Sequence, residues 1–277
     1  MIQDIFPAQL RIEYENALPH NDDALIVFFG DRALVRYCGE EFFFPSVGDF
    51  SEYKLKMRYL FKLNDERFFL LNVDNEPVYD GYALESLQGF RTAQPQYKAF
   101  AVVTAYHISE FYRCNRFCGS CGLPLIHSEN ERAMLCSCGR TYYPQIAPSV
   151  IVAVTDGERL LLTKYNSAHS SYKKYALVAG YCETGESAED TVRREVMEEV
   201  GLKVKDISYY KSQPWGFTGT LLLGYFAVLD GSDKLTMDKN ELSKAQWFNR
   251  SEIPKTDSGI SLTNEMIEYF RTHGFKA

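Results

Sequence analysis

Long apolar runs are missing from this chain of 277 residues. None approaches the ~18 residues that a bilayer-spanning helix needs, so no membrane-spanning helix is expected. The opening Met1-Ile-Gln-Asp-Ile-Phe6 lacks a basic segment followed by a long apolar one. No secretory leader is therefore expected, and the expected location is the cytoplasm. Excess positive charge is missing too: 37 acidic against 30 basic residues leave a net charge of −7. A globally acidic protein grips nucleic acid poorly, because phosphate neutralisation supplies most nonspecific affinity; a local basic groove remains open. Cysteine is scarce and odd in number, and seven of them argue against a secreted disulfide framework. Internal repeats and low-complexity tracts are absent.

What is present supports ordinary packed cores, with 45% hydrophobic and 14% aromatic residues. The length points to two domains with a small third unit. Residues 24–29, Ala-Leu-Ile-Val-Phe-Phe, read as a buried strand ending at Gly30. Residues 53–62 alternate, Tyr53, Leu55, Met57, Tyr59 and Phe61 against Lys54, Lys56, Arg58 and Lys62, which predicts a half-buried antiparallel strand. Residues 67–73 read as a further strand and 97–112 as a helix, so residues 1–113 are expected to form an N-terminal α+β domain. From Cys114 to about residue 145 the composition turns to Cys and Gly. Strands then return at 149–154, 160–163, 175–179, 221–229 and 245–248, with a closing helix over 262–272, in a third segment of residues 146–277.

The densest signal runs from Gly180 to Leu202. As a helix, Glu195, Glu198 and Glu199 are related by i+3 and i+4 and share one face. Like charges so placed cost a helix roughly a few tenths of a kcal/mol per pair unless a cation sits among them. Oxygen-only carboxylate sets suit hard divalent ions such as Mg²⁺ or Mn²⁺. Ser187 with Asp190 makes a start resembling a capping box, and Gly201 stands where a left-handed residue would end the helix. Val192, Val196 and Val200 form an apolar stripe, with the acids lying away from it. A solvated acidic surface helix is the plain alternative, but it leaves Gly180, Glu186, Arg194 and Gly201 unexplained.

A second signal is Cys118-Gly-Ser-Cys121-Gly122 followed by Cys136-Ser-Cys138-Gly139, with fourteen residues between Cys121 and Cys136. Two short Cys pairs with adjacent Gly make two tight turns whose thiolates converge on one tetrahedral Zn²⁺. Four thiolates leave no open position, so such a site is structural. The second pair is one residue shorter than the usual C-x2-C, and Cys114 is an alternative ligand. Cys38 and Cys182 have no partner in sequence and read as plain thiols.

The Gly180–Leu202 stretch resembles the Nudix box, G-x5-E-x7-R-E-U-x-E-E-x-G-U, in which U is a bulky aliphatic. It matches at Gly180, Glu186, Arg194, Glu195, Val196, Glu198, Glu199, Gly201 and Leu202. The resemblance implies an α/β/α sandwich with a mixed sheet that hydrolyses a nucleoside diphosphate linked to another moiety. It further implies Glu195, Glu198 and Glu199 as metal ligands, one of Glu198 and Glu199 doubling as base, and Arg194 with Glu186 bracing the loop. The order of segments resembles one branch of that family, the NADH pyrophosphatases of NudC type. In these an N-terminal domain and a four-cysteine zinc ribbon precede the Nudix domain. The resemblance covers most of the chain and is strongest from Phe117 to Trp247. Tyr142-Tyr-Pro-Gln-Ile-Ala-Pro148 resembles the link into the catalytic domain, and Ser212-Gln-Pro-Trp-Gly-Phe217 resembles the branch's S-Q-P-W-P-F-P-x-S segment. Gly216, Thr218 and Thr220 replace two prolines and the final serine there, which predicts a more flexible loop.

By the same resemblance, Gln213, Pro214, Trp215, Gly216, Phe217, Thr218, Gly219 and Thr220 line a dinucleotide pocket, with Trp215 and Phe217 offering flat faces to a base. Glu131, Tyr143 and Ser261 are implied as further substrate contacts. Ala179, through its carbonyl, and Glu241 are implied as further metal ligands. The implied reaction is hydrolysis of the pyrophosphate of NAD(H) to nicotinamide mononucleotide and AMP. It would use two to three Mg²⁺ or Mn²⁺ ions and one structural Zn²⁺, in a homodimer. RNA carrying a 5′ NAD cap presents the same bond. The alternatives are hydrolysis of ADP-ribose, ADP-glucose or diadenosine compounds, which the altered 216–218 segment keeps open, and a non-catalytic nucleotide sensor. A sensor has no need of the full carboxylate set, which this chain keeps.

Overall fold

The computed structural model describes residues 1–166, 173–255 and 259–275. It divides into two compact units: residues 2–145 with 216–219, and residues 146–215 with 220–277 and Met1. Each has its own sheet and core.

In the first unit the strands are β1 (Leu10–Arg11), β2 (Ala24–Phe29), β3 (Arg32–Cys38), β4 (Glu41–Phe43), β5 (Arg58–Leu63), β6 (Glu66–Asn72) and β7 (Ala83–Ser86). They lie in the order β1-β5-β6-β2-β3-β4, with β7 on β3. Consecutive burial of Ala24 to Phe28 follows from a strand covered on both faces, and helix α1 (Gln96–Cys114) packs against β2, β5 and β6. The alternating strand expected over 53–62 is corrected. Residues up to Lys56 form a 3₁₀ turn that begins at a capping box between Ser46 and Asp49, leaving Leu55 95% exposed. The strand begins at Arg58, and a register shift between Tyr59 and Phe61 buries Tyr59, Leu60 and Phe61 in succession. The cysteine-rich segment adds a three-stranded antiparallel sheet of β8 (Ile126–His127), β9 (Met134–Leu135) and β10 (Thr141–Tyr142).

The turn Gly216–Gly219 belongs to this first unit. A Cβ on Gly216 would stand 2.4 Å from the Val103 carbonyl oxygen of α1, and Phe217 is buried with the Arg91 guanidinium 4.8 Å above its ring. The missing prolines therefore do not mark a loose loop. Glycine stands at 216 because the backbone passes too close to α1 for a side chain.

The second unit is a three-layer α/β/α sandwich. Its strands are β11 (Ala147–Asp156), β12 (Arg159–Tyr165), β13 (Val178–Tyr181), β14 (Val204–Trp215), β15 (Thr220–Leu229) and β16 (Leu242–Asn249). The order is β14-β15-β11-β12-β16, with β13 antiparallel to β11 and β15 parallel to it, so the sheet is mixed. The period of two along β11 divides its side chains between two cores. Val150, Val152 and Val154 meet Val192, Val196 and Val200 of helix α2 (Ala188–Val200). Ile151 and Ala153 meet Leu262, Met266, Ile267 and Phe270 of helix α3 (Leu262–His273) on the other face. The strand expected at 175–179 starts later, at Val178, and Ala176 makes only a single bridge to Thr163. Polar β14, which the sequence reading did not anticipate, pairs along β15 with two register shifts. Among the described residues no helix is long and apolar enough to cross a membrane.

Leu161, 1% exposed in the α2-side core, gives a stability test. Leu161→Ala is expected to lose about 3 kcal/mol in urea denaturation followed through the unfolding of the second unit.

Candidate active site

Helix α2 is held at both ends as its sequence dictates. Ser187 Oγ accepts from Asp190 N at its start, and Gly201, at φ 70°, ends it in the left-handed conformation. The valine stripe is fully buried. Its acidic face is not uniformly solvated, which corrects the picture of carboxylates lying away from the core: Glu199 is 2% exposed and Glu195 9%, while the Glu198 side chain is 59% exposed. The helix is turned so that Glu195 and Glu199 point at β13.

Glycine at 180 makes room for this. A Cβ there would fall 2.0 Å from Glu195 Cδ, so the carboxylate occupies the space a side chain would take. Ser149 Oγ donates to the Gly180 carbonyl at 2.8 Å, fixing the strand opposite. Ala179 N donates to Glu199 Oε1 at 3.2 Å, whereas Glu199 Oε2 is buried with no hydrogen-bond partner among the described residues. Burial pushes the Glu199 carboxyl up to about 8, and the charges of Glu195, Glu241 and Asp238 add to this. Burial also raises Glu195, partly offset by Arg194. Glu241, on the loop before β16, is exposed but within electrostatic reach of both.

Arg194 organises the cluster. Its Nε and Nη2 donate to the two oxygens of Glu186 at 2.7 and 3.0 Å, and Nη1 donates to Glu195 at 2.7 Å and to Glu198 at 3.0 Å. Nη2 also donates to the Tyr181 carbonyl at 2.9 Å. Glu186 further accepts from Thr191 Oγ1 and Glu183 N. Arg194 first, and then Thr191, hold its carboxyl down at about 2. The expected brace between Arg194 and Glu186 is thus in place, and it reaches the helix acids as well. The sequence reading missed Thr191 and Asp238; Thr191 lay on the predicted helix beside Glu195, but nothing in its spacing singled it out.

A divalent cation fits this set. A buried carboxylate oxygen without a protein donor, beside a second carboxylate tucked over a glycine, is a hard-oxygen donor pair short of a positive charge.

The cysteines converge as the spacing predicts. The Sγ atoms of Cys118, Cys121, Cys136 and Cys138 all lie within 4.8 Å of one another. Cys121 and Cys136 are 3.4 Å apart and Cys118 and Cys138 3.7 Å. Tetrahedral Zn–S bonds of about 2.3 Å place sulfurs roughly 3.8 Å apart, so the cluster fits zinc. Tyr142 Oη, 3.2 Å from Cys118 Sγ, holds that thiol down at about 6, whereas Cys136, despite the backbone N–H of Cys138, is pushed up to about 12 by burial and the neighbouring thiols. Cys114 is exposed and outside the cluster.

The residues expected at a substrate pocket are placed unevenly. Tyr143 Oη donates to Glu131 at 3.1 Å, both residues exposed within the first unit. Gln213 is fully buried. Its amide donates to the Ile260 carbonyl at 2.9 Å and accepts from Leu262 N at 2.7 Å, so the side chain ties β14 to the start of α3 rather than facing an open pocket. Pro214 and Thr218 are exposed and Trp215 is half-buried; Gly216, Phe217 and Thr220 are buried and Gly219 half-buried. The Phe217 ring already carries Arg91, which limits the flat face it offers a base. Ser261 caps α3 by accepting from Asn264 N.

Residues 145–269 match the family model described as NUDIX domain. The chain is 41% identical over 162 residues to the NAD-capped RNA hydrolase NudC of Pectobacterium atrosepticum, covering 58% of this chain and 61% of that protein. It is 40% identical over 162 residues to the NAD-capped RNA hydrolase NudC of Citrobacter koseri, covering 58% and 62%. The matches thus span about three fifths of these relatives. Among solved structures, a NUDIX hydrolase from Nitrosomonas europaea superposes with a TM-score of 0.46 at 20% identity, over 56% of this chain and 90% of that one.

Two variants probe the geometry. Gly180→Ala is expected to keep the melting temperature within a few degrees, because the flexible end of Glu195 yields, while Mn²⁺ affinity read by electron paramagnetic resonance falls about tenfold or more. Cys136→Ser is expected to abolish zinc retention in metal analysis of the purified protein, with a lowered melting temperature.

Proposed function

We propose that this chain, which carries a Nudix domain over residues 145–269, hydrolyses the pyrophosphate bond of NAD(H), giving nicotinamide mononucleotide and AMP, and removes NAD caps from RNA 5′ ends. The observation that carries the reading is Glu199 Oε2, buried and unpartnered beside Glu195 and within reach of Glu241. The relatives, described as NAD-capped RNA hydrolases, support the substrate class.

Glu195, Glu198, Glu199 and Glu241, with the Ala179 carbonyl, would hold two to three Mg²⁺ or Mn²⁺ ions, and the four cysteines one structural Zn²⁺. Bound there, the divalent ions neutralise pyrophosphate oxygens and lower the pKa of water. The protein's own groups do the rest. Arg194 holds Glu186, Glu195 and Glu198 in one frame. Glu199 Oε2, free of any protein donor among the described residues, is the oxygen we take to accept the proton from water in the step in which it does not ligate an ion. Glu198 Oε2 already accepts from Arg194, so of the two acids that the motif leaves equal, the geometry favours Glu199 as base. Glu131 with Tyr143, and Trp215 with the neighbouring 214–220 segment and Ser261, are the proposed substrate contacts. We assign residues 1–113 to an N-terminal domain, 114–145 to a zinc ribbon and 146–277 to the hydrolase domain, in a cytoplasmic homodimer.

A second reading, hydrolysis of ADP-ribose or diadenosine compounds, draws on Gly216 and Thr218 standing where the resembled branch has prolines. Incubation of the purified chain with a panel of dinucleotides and Mg²⁺ or Mn²⁺ separates the two. Nicotinamide mononucleotide and AMP are expected from NAD(H); cleavage of other dinucleotides with NAD(H) and capped RNA untouched overturns the reading. Glu199→Gln is expected to lower kcat by about 10³-fold with an unchanged melting temperature, and Glu198→Gln by roughly tenfold.

A further inference from the structure

On the α3 face of the second unit, lysines gather around one tyrosine. Lys164 Nζ lies 4.4 Å above the Tyr175 ring centroid, and Lys244 Nζ donates to Tyr175 Oη at 3.2 Å. Lys164, Lys174, Lys255 and Tyr175 line an adjoining cavity of about 260 Å³ that reaches Asn264 at the start of α3, and among the described residues no carboxylate lines it. Lys164 and Lys244 are direct cross-strand partners of β12 and β16. Like charges so opposed destabilise a sheet. Among the described residues, no carboxylate stands within 4.0 Å of the ammonium of Lys164, Lys244 or Lys255. Glu268, whose charge is felt from Lys255, is already bound by Arg271 at 2.9 Å. In a chain of net charge −7, this is a concentration of positive charge that no carboxylate among the described residues balances at Lys164, Lys244 or Lys255.

The cavity is small for a nucleotide, since ligand pockets usually start near 300 Å³, but it accommodates a phosphate. Its flat aromatic face is covered by Lys164, so stacking is not what it offers. Tyr175 lies four residues before Ala179, both side chains on the α3 side, so the chain between them spans at most about 13 Å.

We propose that the cavity lined by Lys164, Lys174 and Lys255, with Lys244 beside it on Tyr175, is a phosphodiester subsite that holds the body of a 5′-capped RNA. It rests on the reading that capped RNA is a substrate, and it reconciles that reading with the overall acidity of the chain. Lysine, a compact and strongly hydrated charge, suits sequence-independent grip on a phosphate.

The test uses the full chain, the double variant Lys164→Glu/Lys244→Glu and the exposed single variant Lys255→Glu, each checked by melting temperature. Fluorescence anisotropy with an uncapped, 5′-phosphorylated single-stranded RNA of about ten nucleotides reads the pocket without chemistry. Both variants are expected to bind it more weakly, with the slope of log affinity against log salt reduced by about 0.7 for each phosphate no longer neutralised. In kinetics, kcat/KM on NAD-capped RNA is expected to fall about tenfold at low salt while that on free NAD stays within about twofold. Unchanged RNA binding in the folded variants overturns the proposal. So does an equal fall on free NAD, which would give the pocket to the dinucleotide's own phosphates. If the unaltered chain cleaves neither substrate, the proposed function fails while the anisotropy still decides for or against the subsite.

Discussion

The acidic cluster depends on one guanidinium. Helix α2 sets Glu195, Glu198 and Glu199 on adjacent turns, Glu195 and Glu199 against β13, an arrangement in which like charges repel if left to the helix alone. Arg194 answers it from within the same helix, because its planar fork can serve several carboxylates at once. It takes Glu186 bidentately, Glu195 and Glu198 through a third nitrogen, and closes on the backbone at Tyr181. The loop before the helix, the helix and the end of β13 are thereby one rigid piece. Glu199 alone is left outside the arginine's reach, held by a single backbone N–H. Neutralisation is unequal by construction: Glu186, Glu195 and Glu198 are paired with the arginine, and Glu199 is not.

The first unit shows the same economy around the cysteines. Three two-residue strands cannot build a core of their own, and their apolar cluster is little more than Cys118, Leu125 and Cys136 with Met134 and Tyr142 against them. A segment so thin needs a cross-link, which four converging thiols supply when they share an ion. Tyr14 Oη donates to the Ser128 carbonyl and Arg132 to the Leu60 carbonyl, tying this segment to the larger sheet of the same unit.

Much of this was legible in the residues. Fixed spacings between charged side chains and glycines survive translation into three dimensions, because a helix converts sequence separation into position with little freedom. The α2 caps and the valine stripe were readable for that reason; the convergence of Cys118, Cys121, Cys136 and Cys138 was readable from two short pairs with adjacent glycines, and the Arg194–Glu186 pair only from the resemblance to the Nudix box. Strands were harder. Residues 53–62 alternate as a strand should, yet the capping box at Ser46 and Asp49 claims the first of them for a helical turn and a bulge spoils the alternation in the rest. β14 was invisible because its partner β15 and its bulges, not its own composition, make it a strand. The burial of Glu195 and Glu199, the packing of Gly216 on Val103 and the gathering of lysines at Tyr175 all arise from residues far apart in the chain, which no local pattern encodes. Gly216 is instructive: read as a loss of stiffness, it proved a point of close approach.

Strand β11 has a consequence of its own. It is hydrogen-bonded on one side to parallel β15 and on the other to β12 and β13, and its alternate side chains are shared between the cores under α2 and α3. Neither helix can peel away without uncovering half of a strand that the other still needs. Local opening of one layer is therefore penalised by the opposite layer, and the second unit behaves as a single cooperative foldon in which the β11 amides are the last to exchange with solvent.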